Sequence, residues 1–253
     1  MVATIRAKCH EGLIVRVVIS QSMYFPWVGL LEQIRLADIF VHYDDVQLTR
    51  GFYNRVQVKT QQGSKWITVP LRDHHRGQNI DETFVDVRVD WRSQHRNILR
   101  QAYLKAPFRD EMLDLVDRVF SESILTIADV SRFSVLALSD YFDIRTNCKF
   151  LDSSLLNISG SSSQRLHDIV KVLGGSLYIT GHGARNYLDH ALFEQSDITV
   201  QYMNYQCTPY PQLYGGFTPY VTALDLIANC GQAGRGVIQS NAINWREFIN
   251  ESN

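Results

Sequence analysis

In a chain of 253 residues, 45% hydrophobic and 20% charged side chains are the proportions of an ordinary globular protein, which exclude a disordered polymer or a fibre. With 26 acidic against 25 basic residues the net charge is −1, so there is no basic field to gather nucleic acid. The apolar runs are too short to cross a bilayer, Met1–Gly12 holds no apolar segment of signal-peptide type, and Cys9, Cys148, Cys207 and Cys230 are scattered with no Cys-x-x-Cys pair, which suits reduced thiols in a cytoplasmic protein without a thiolate zinc site.

The first element is a short β-branched run, Val15 to Ile19, which reads as a buried strand. A polar loop follows. Pro26 suits a first helical turn, and Val28, Leu30, Leu31, Ile34 and Leu36 give the next segment a broad apolar face. That helix ends near Ala37 and Asp38, because Ile39 to Tyr43 is a second apolar run that stops at Asp44 and Asp45. Strand, helix, strand is the opening of a parallel α/β unit. Asn54 to Lys59 and Trp66 to Leu71 alternate around a polar, glycine-containing connection and predict a hairpin, with Lys59 and Lys65 as solvated turn charges. His74 and His75 are adjacent on a polar loop and would point to opposite sides, so they do not read as joint ligands of one metal and at least one of them reads as a surface histidine. Phe84 to Val89 alternates and predicts an edge strand.

From Trp91 to Phe142 the period becomes helical, with Ile98 and Leu104, then Met112 to Phe120, then Ile127 to Leu138 marking three helices. Pro107 separates the first two. Thr146 to Leu151 predicts a strand. A helix capped at Ser161 to Gln164 follows, with Leu166, Ile169, Val170 and Leu173 on one side and Gly174-Gly175 at its end. Ser176 to Thr180 is a strand, and Gly181-His182-Gly183 opens a turn after it. Ile198 to Tyr202 reads as the final sheet strand, Tyr205 to Tyr220 as an aromatic, proline-rich loop, Val221 to Ala228 as a helix, and Asn241 to Asn253 as a short helix or tail. The expected fold is a single α/β domain over residues 1–253, with an open, mostly parallel, Rossmann-like sheet, helices on both faces, and an inserted hairpin and helical segment, 73–142 being a possible subdomain.

Ligands of such sheets bind beyond the carboxyl ends of the strands. Two loop clusters qualify. Gln21, Tyr24, Asp44, Asp45, Gln47, Arg50, Asn54 and Arg55 crowd the first, and Gly181, His182, Gly183, Arg185 and Asn186 form the second, where a glycine turn before a helix lets backbone N–H groups approach an anion. His95 adds an imidazole that titrates near neutrality, and Tyr210 a flat ring for sugar or base stacking. His95, His182, Asp44 and Asp45 are thus the candidate proton carriers, and the remaining residues of the clusters are candidate substrate contacts. No metal ligand set is read, and no cofactor is specified.

Several of these positions also form an ordered pattern: Gln21, Tyr24 to Trp27, Gly29, then Ala37, Asp38, Phe40, Val41, Tyr43 to Gln47, then Asn54, Arg55 and Trp66 to Pro70. It continues through Trp91, His95, Tyr103 to Phe108, Arg165-Leu166, Tyr178 to Leu188 and Gln212 to Gly231, nearly the whole chain. This pattern resembles the WbqC-like family of bacterial proteins, associated with assembly of surface polysaccharides, glycolipids and secondary products. The resemblance implies a cytoplasmic biosynthetic enzyme. The expectation is an acyl or aminoacyl transferase acting on an activated sugar or other amine acceptor, with a carrier-bound acyl donor possible. Nucleotide-dependent activation is the second expectation, although Tyr24-Phe25-Pro26-Trp27-Val28-Gly29 stands where nucleotidyltransferases carry His-x-Gly-His. A non-catalytic sugar-nucleotide-binding partner is the third.

Overall fold

The computed structural model describes residues 14–49 and 51–251, so Cys9 and Arg50 lie outside the described residues. The central sheet is built from β1 (Arg16–Ser20), β2 (Ile39–His42), β5 (Lys149–Asp152), β6 (Leu177–Thr180), β7 (Thr199–Asn204) and β8 (Asn241–Asn244), in the order β5-β2-β1-β6-β7-β8. All neighbours are parallel except β7 and β8. The chain leaves β1 in one direction to make β2 and β5, and later returns to the other side of β1 to make β6 and β7. The point where the order reverses lies between β1 and β6.

Alternation along the strands divides the core in two. Val18, Phe40 and Ile179 face a cluster shared with α1 (Val28–Leu36), α4 (Ile127–Tyr141) and α7 (Ala223–Cys230), while Val17, Ile19, Val41, Tyr178, Val200 and Tyr202 face another with α5 (Ser162–Val172) and α6 (His190–Glu194). The central strands β1, β2 and β6 are therefore apolar on both sides, as a doubly covered sheet requires. The insertion after β2 consists of the hairpin β3 (Arg55–Thr60) and β4 (Gly63–Thr68), then α2 (Trp91–Ala102), α3 (Arg109–Ser121) and α4. Thr126 opens α4 with a reciprocal capping box to Asp129, and Gly174 ends the α5 segment at φ 69°. Among the described residues no helix is long and apolar enough to cross a membrane.

Four local expectations are corrected. The segment 84–89 is not a strand: Val85 N–H goes to Leu125 C=O and Asp86 N–H to Pro70 C=O, and the Asp86 carboxylate takes the Arg88 N–H at 3.0 Å and turns the chain. The last sheet strand is β8, from the stretch expected to be a terminal helix or tail, and only Trp245–Glu251 is helical (α8). The hairpin turn is two residues, Gln61-Gln62, with Gly63 at φ 106°. Lys59 is no solvated turn charge. It is 4% exposed, and its ammonium donates to Gln212 Oε1 at 3.1 Å and to the Gly216 carbonyl at 2.6 Å, tying the aromatic loop to β3.

Candidate functional site

Beyond the carboxyl ends of β1, β2 and β6 lies a cavity of about 720 Å³, at the place where the strand order reverses. Its walls come from several pieces of chain: Ser20 and Gln21 at the end of β1; Tyr43, Asp45 and Gln47 after β2; Gly160 to Ser162 and Arg165 at the start of α5; Tyr178, Thr180, Gly181 and Gly183 on and after β6; and Tyr53 and Tyr187. Gln33 of α1 reaches in beneath Gly181, where a Cβ would lie 2.8 Å from its amide nitrogen.

Asp45 is held from two sides. Ser153 donates to Oδ1 at 2.5 Å, and Arg165 Nη2 donates to Oδ2. Arg165 is 7% exposed, and such burial of a guanidinium requires that its donors be used. Nε donates to the Ile158 carbonyl at 3.0 Å, and the guanidinium lies 4.9 Å from the centre of the Tyr43 ring. The carboxylate is thus fixed in direction while remaining on the cavity wall.

Four tyrosines, Tyr43, Tyr53, Tyr178 and Tyr187, line the same space. Burial pushes the phenols of Tyr43, Tyr53 and Tyr178 up, and Tyr187, although its ring is 55% exposed, is raised by partial burial and by Tyr43 and Tyr53 beside it. All four keep their protons at neutral pH and can donate hydrogen bonds. Together with the amides of Gln21, Gln33 and Gln47 they form a neutral, two-way hydrogen-bonding lining with flat apolar faces.

Asp44, next to Asp45, points the other way. It is fully buried and accepts from Ser22 N–H at 2.8 Å, Ser22 Oγ–H at 2.8 Å and Arg132 Nε at 2.7 Å; Arg132 also donates to Asp152 at 2.8 Å. Those bonds lock the loop after β1 to α4 and leave Asp44 off the cavity wall. His95 is a pillar between elements. Its Nε2–H donates to the Thr68 carbonyl at 3.2 Å and its Nδ1 accepts from Tyr24 O–H at 2.9 Å, so both nitrogens are used. Burial pulls its pKa down to about 4. His182 donates Nε2–H to the Met203 carbonyl at 2.8 Å and packs 4.9 Å from the Phe248 ring.

The other predicted contacts divide in the same way. Gln21, Gln47, Gly181 and Gly183 line the cavity with Asp45. Tyr24 is fully buried in the core, Asn54 donates to the Val69 carbonyl at 3.2 Å, and Arg55 donates to the Gly51 carbonyl at 3.1 Å while lying 4.3 Å over Trp66. Arg185 stands beside Tyr202 and Asn186 is exposed, neither on the cavity wall. Tyr210 is packed edge-on to Phe217 at 5.3 Å. Arg50 is among the residues not described. Sequence reasoning missed Gln33, Arg165 and all four tyrosines, although Tyr43, Arg165, Tyr178 and Tyr187 fall within the ordered pattern that carried the resemblance. Among the described residues no group of three or more His, Cys, Asp or Glu side chains is placed to hold a metal ion.

Fold and cavity together define a doubly wound α/β protein with a cavity at the reversal of strand order. The chain belongs to the WbqC-like protein family, whose model matches residues 21–236. It is 34% identical over 220 residues to the uncharacterized protein Rv1507c of Mycobacterium tuberculosis (strain ATCC 25618 / H37Rv), covering 85% of this chain and 94% of that one. No solved structure matches.

Proposed function

We propose that the protein is a cytoplasmic biosynthetic transferase that moves an acyl or aminoacyl group from an activated donor onto the amine of an amino sugar or similar acceptor in glycan or secondary-product assembly. The observation that carries this reading is Asp45, a carboxylate aimed by Ser153 and Arg165 onto the wall of a neutral cavity lined by tyrosines and glutamines. Phenols and carboxamides can both donate to and accept from the hydroxyls of a sugar, and the tyrosine faces can stack on its ring. Asp45 accepts the N–H of the acceptor amine. As the nitrogen attacks the donor carbonyl, the new C–N bond forms, the bond to the leaving group breaks, and the amine proton passes through Asp45 to that leaving group.

Thermal-shift measurements with UDP-glucosamine, acetyl coenzyme A, free amino acids and ATP test the reading, because a ligand that binds only the folded state raises its melting temperature. The expected result is stabilisation by the amino sugar nucleotide or the thioester, and loss of that stabilisation in Asp45→Asn with its unliganded melting temperature retained. Stabilisation by ATP alone would replace transfer with nucleotide-dependent activation, for which the Gly181 to Gly183 turn on the same cavity is the relevant feature. Binding of the sugar nucleotide with no turnover of any donor would leave a binding partner.

A further inference from the structure

The opposite face of the sheet carries another, smaller cavity of about 400 Å³, between the carboxyl ends of β2 and β5 and the first three turns of α4. His42 forms its inner wall. The side chain is 3% exposed and is flanked by the rings of Phe40 at 5.2 Å and Phe150 at 5.5 Å. Its Nδ1 lies 2.7 Å from Ser22 Oγ. That serine has one proton, and the proton is committed, because Oγ–H lies 2.8 Å from a carboxylate oxygen of Asp44, which can only accept. Ser22 Oγ must therefore accept from His42, which puts the imidazole proton on Nδ1 and leaves the Nε2 lone pair as the free atom. Nε2 has no hydrogen-bond partner among the described residues. Burial and the nearby Arg132 charge pull the pKa of the ring down to about 4, so it is neutral at physiological pH and its lone pair is available.

The remaining polar groups have the same character. Asp152 gives one carboxylate oxygen to Arg132 and Asp129 gives one to the backbone at the start of α4, and both residues line the cavity. Arg132 is itself shared between Asp44 and Asp152. The cavity therefore offers acceptors, with two carboxylates against one guanidinium on its wall, and a floor made of Phe133, Leu136 and Phe150. His42 Nε2 is not among the side-chain atoms shut off from solvent without a partner, so its lone pair opens onto the cavity, where a donor carrying an apolar body matches both the acceptors and the floor.

We propose that this cavity is a second ligand site, selective for a small ammonium group on an apolar or aryl body, with His42 Nε2 and the Asp152 and Asp129 carboxylates receiving its N–H groups. The site is distinct from the cavity on the other face and does not depend on the reaction proposed there.

Imidazole nitrogen NMR of protein labelled at histidine tests the assignment directly. In the unliganded protein the His42 signals should show the proton on Nδ1. Titration with benzylamine should move the Nε2 signal while Nδ1 stays protonated, benzyl alcohol should move it less at the same concentration, and benzoate, which has no donor, should leave it in place. Leu155→Trp fills the mouth from a position that is 75% exposed, so the fold survives, and it should abolish the benzylamine response. The proposal is overturned by a proton on Nε2 in the free protein, by a His42 signal unmoved at saturating benzylamine, by an equal response to benzoate, or by an undiminished response in Leu155→Trp.

Discussion

Asp44 and Asp45 follow one another in the loop after β2, with their carboxylates turned to different surroundings, and these give them opposite fates. Asp45 keeps one face toward an open cavity, held by one serine and one arginine. Asp44 is closed off, with three donors and no solvent. The local chemistry is nearly the same on both sides: a carboxylate, a serine hydroxyl and a guanidinium carried by a helix distant in sequence. What differs is whether the second partner completes the shell. Arg132 does so for Asp44 from α4, whereas Arg165 leaves the Asp45 carboxylate bordered by cavity. A carboxylate whose donors are all protein groups organises the fold, and one with room beside it can act on a ligand.

The comparison breaks most violently at Asp44. Asp44→Ala leaves Arg132 and Ser22 without their partner and should destabilise the fold by about 3–5 kcal/mol in denaturant unfolding, against a much smaller loss for Asp45→Asn at the cavity. The next effect is set by acid. His42 and His95 have folded pKa values of about 4, well below the ordinary value near 6.5, so their contribution is complete above pH ~6.5 and is withdrawn as the pH falls toward 4. Unfolding free energies at pH 7 and pH 4.5 should differ by roughly 2–3 kcal/mol per ring, and His95→Gln should remove its share of that slope.

Asp225 shows what Asp44 would be without its donors. It is 1% exposed, and Tyr103, Tyr210 and Gln212 surround the carboxylate with none in ordinary hydrogen-bond geometry. Burial raises its pKa to about 6, with Lys59 offsetting part of the rise. The sign is opposite to that of the histidines. Its share of stability is present below pH ~4 and is lost as the pH rises through about 6, a change on the order of 2 kcal/mol that Asp225→Asn should flatten in a melting-temperature profile. The smallest effect belongs to the cavity rim. Tyr187 is 55% exposed, so Tyr187→Ala should change stability by no more than about 0.5 kcal/mol while weakening any sugar-nucleotide stabilisation, which separates a binding surface from a structural one.

The β-α-β units were legible because apolar runs bounded by polar breaks carry the period of their element. Val17 to Ile19 and Leu177 to Thr180 needed no tertiary information. β8 was not legible, since Asn241-Ala242-Ile243-Asn244 has two asparagines in four residues and becomes a strand only because β7 offers an edge. The converse holds at Phe84 to Val89, where the alternation is present but Asp86 and Arg88 hydrogen-bond locally and turn the backbone aside. Asp45, Gln21, Gln47, Gly181 and Gly183 were singled out because polar groups and glycines at strand ends stand out, and these five line the cavity. The tyrosines were not, because an aromatic at the end of a strand reads as core until the cavity beside it is seen. The same ambiguity made Tyr24 and His95 look functional, when each is the other's hydrogen-bond partner inside the protein.

β8 lies beyond residue 236, where the family match ends, and it is what occupies the free side of β7. An uncovered β7 would present a row of unpaired amide and carbonyl groups to any passing chain, the condition under which sheets add strands from their neighbours. The segment that carries β8, with α8 packed against β7 and β8, closes that side of β7, and a chain ending at residue 236 would keep its cavity-lining residues while baring the backbone groups of β7 that now bond to β8.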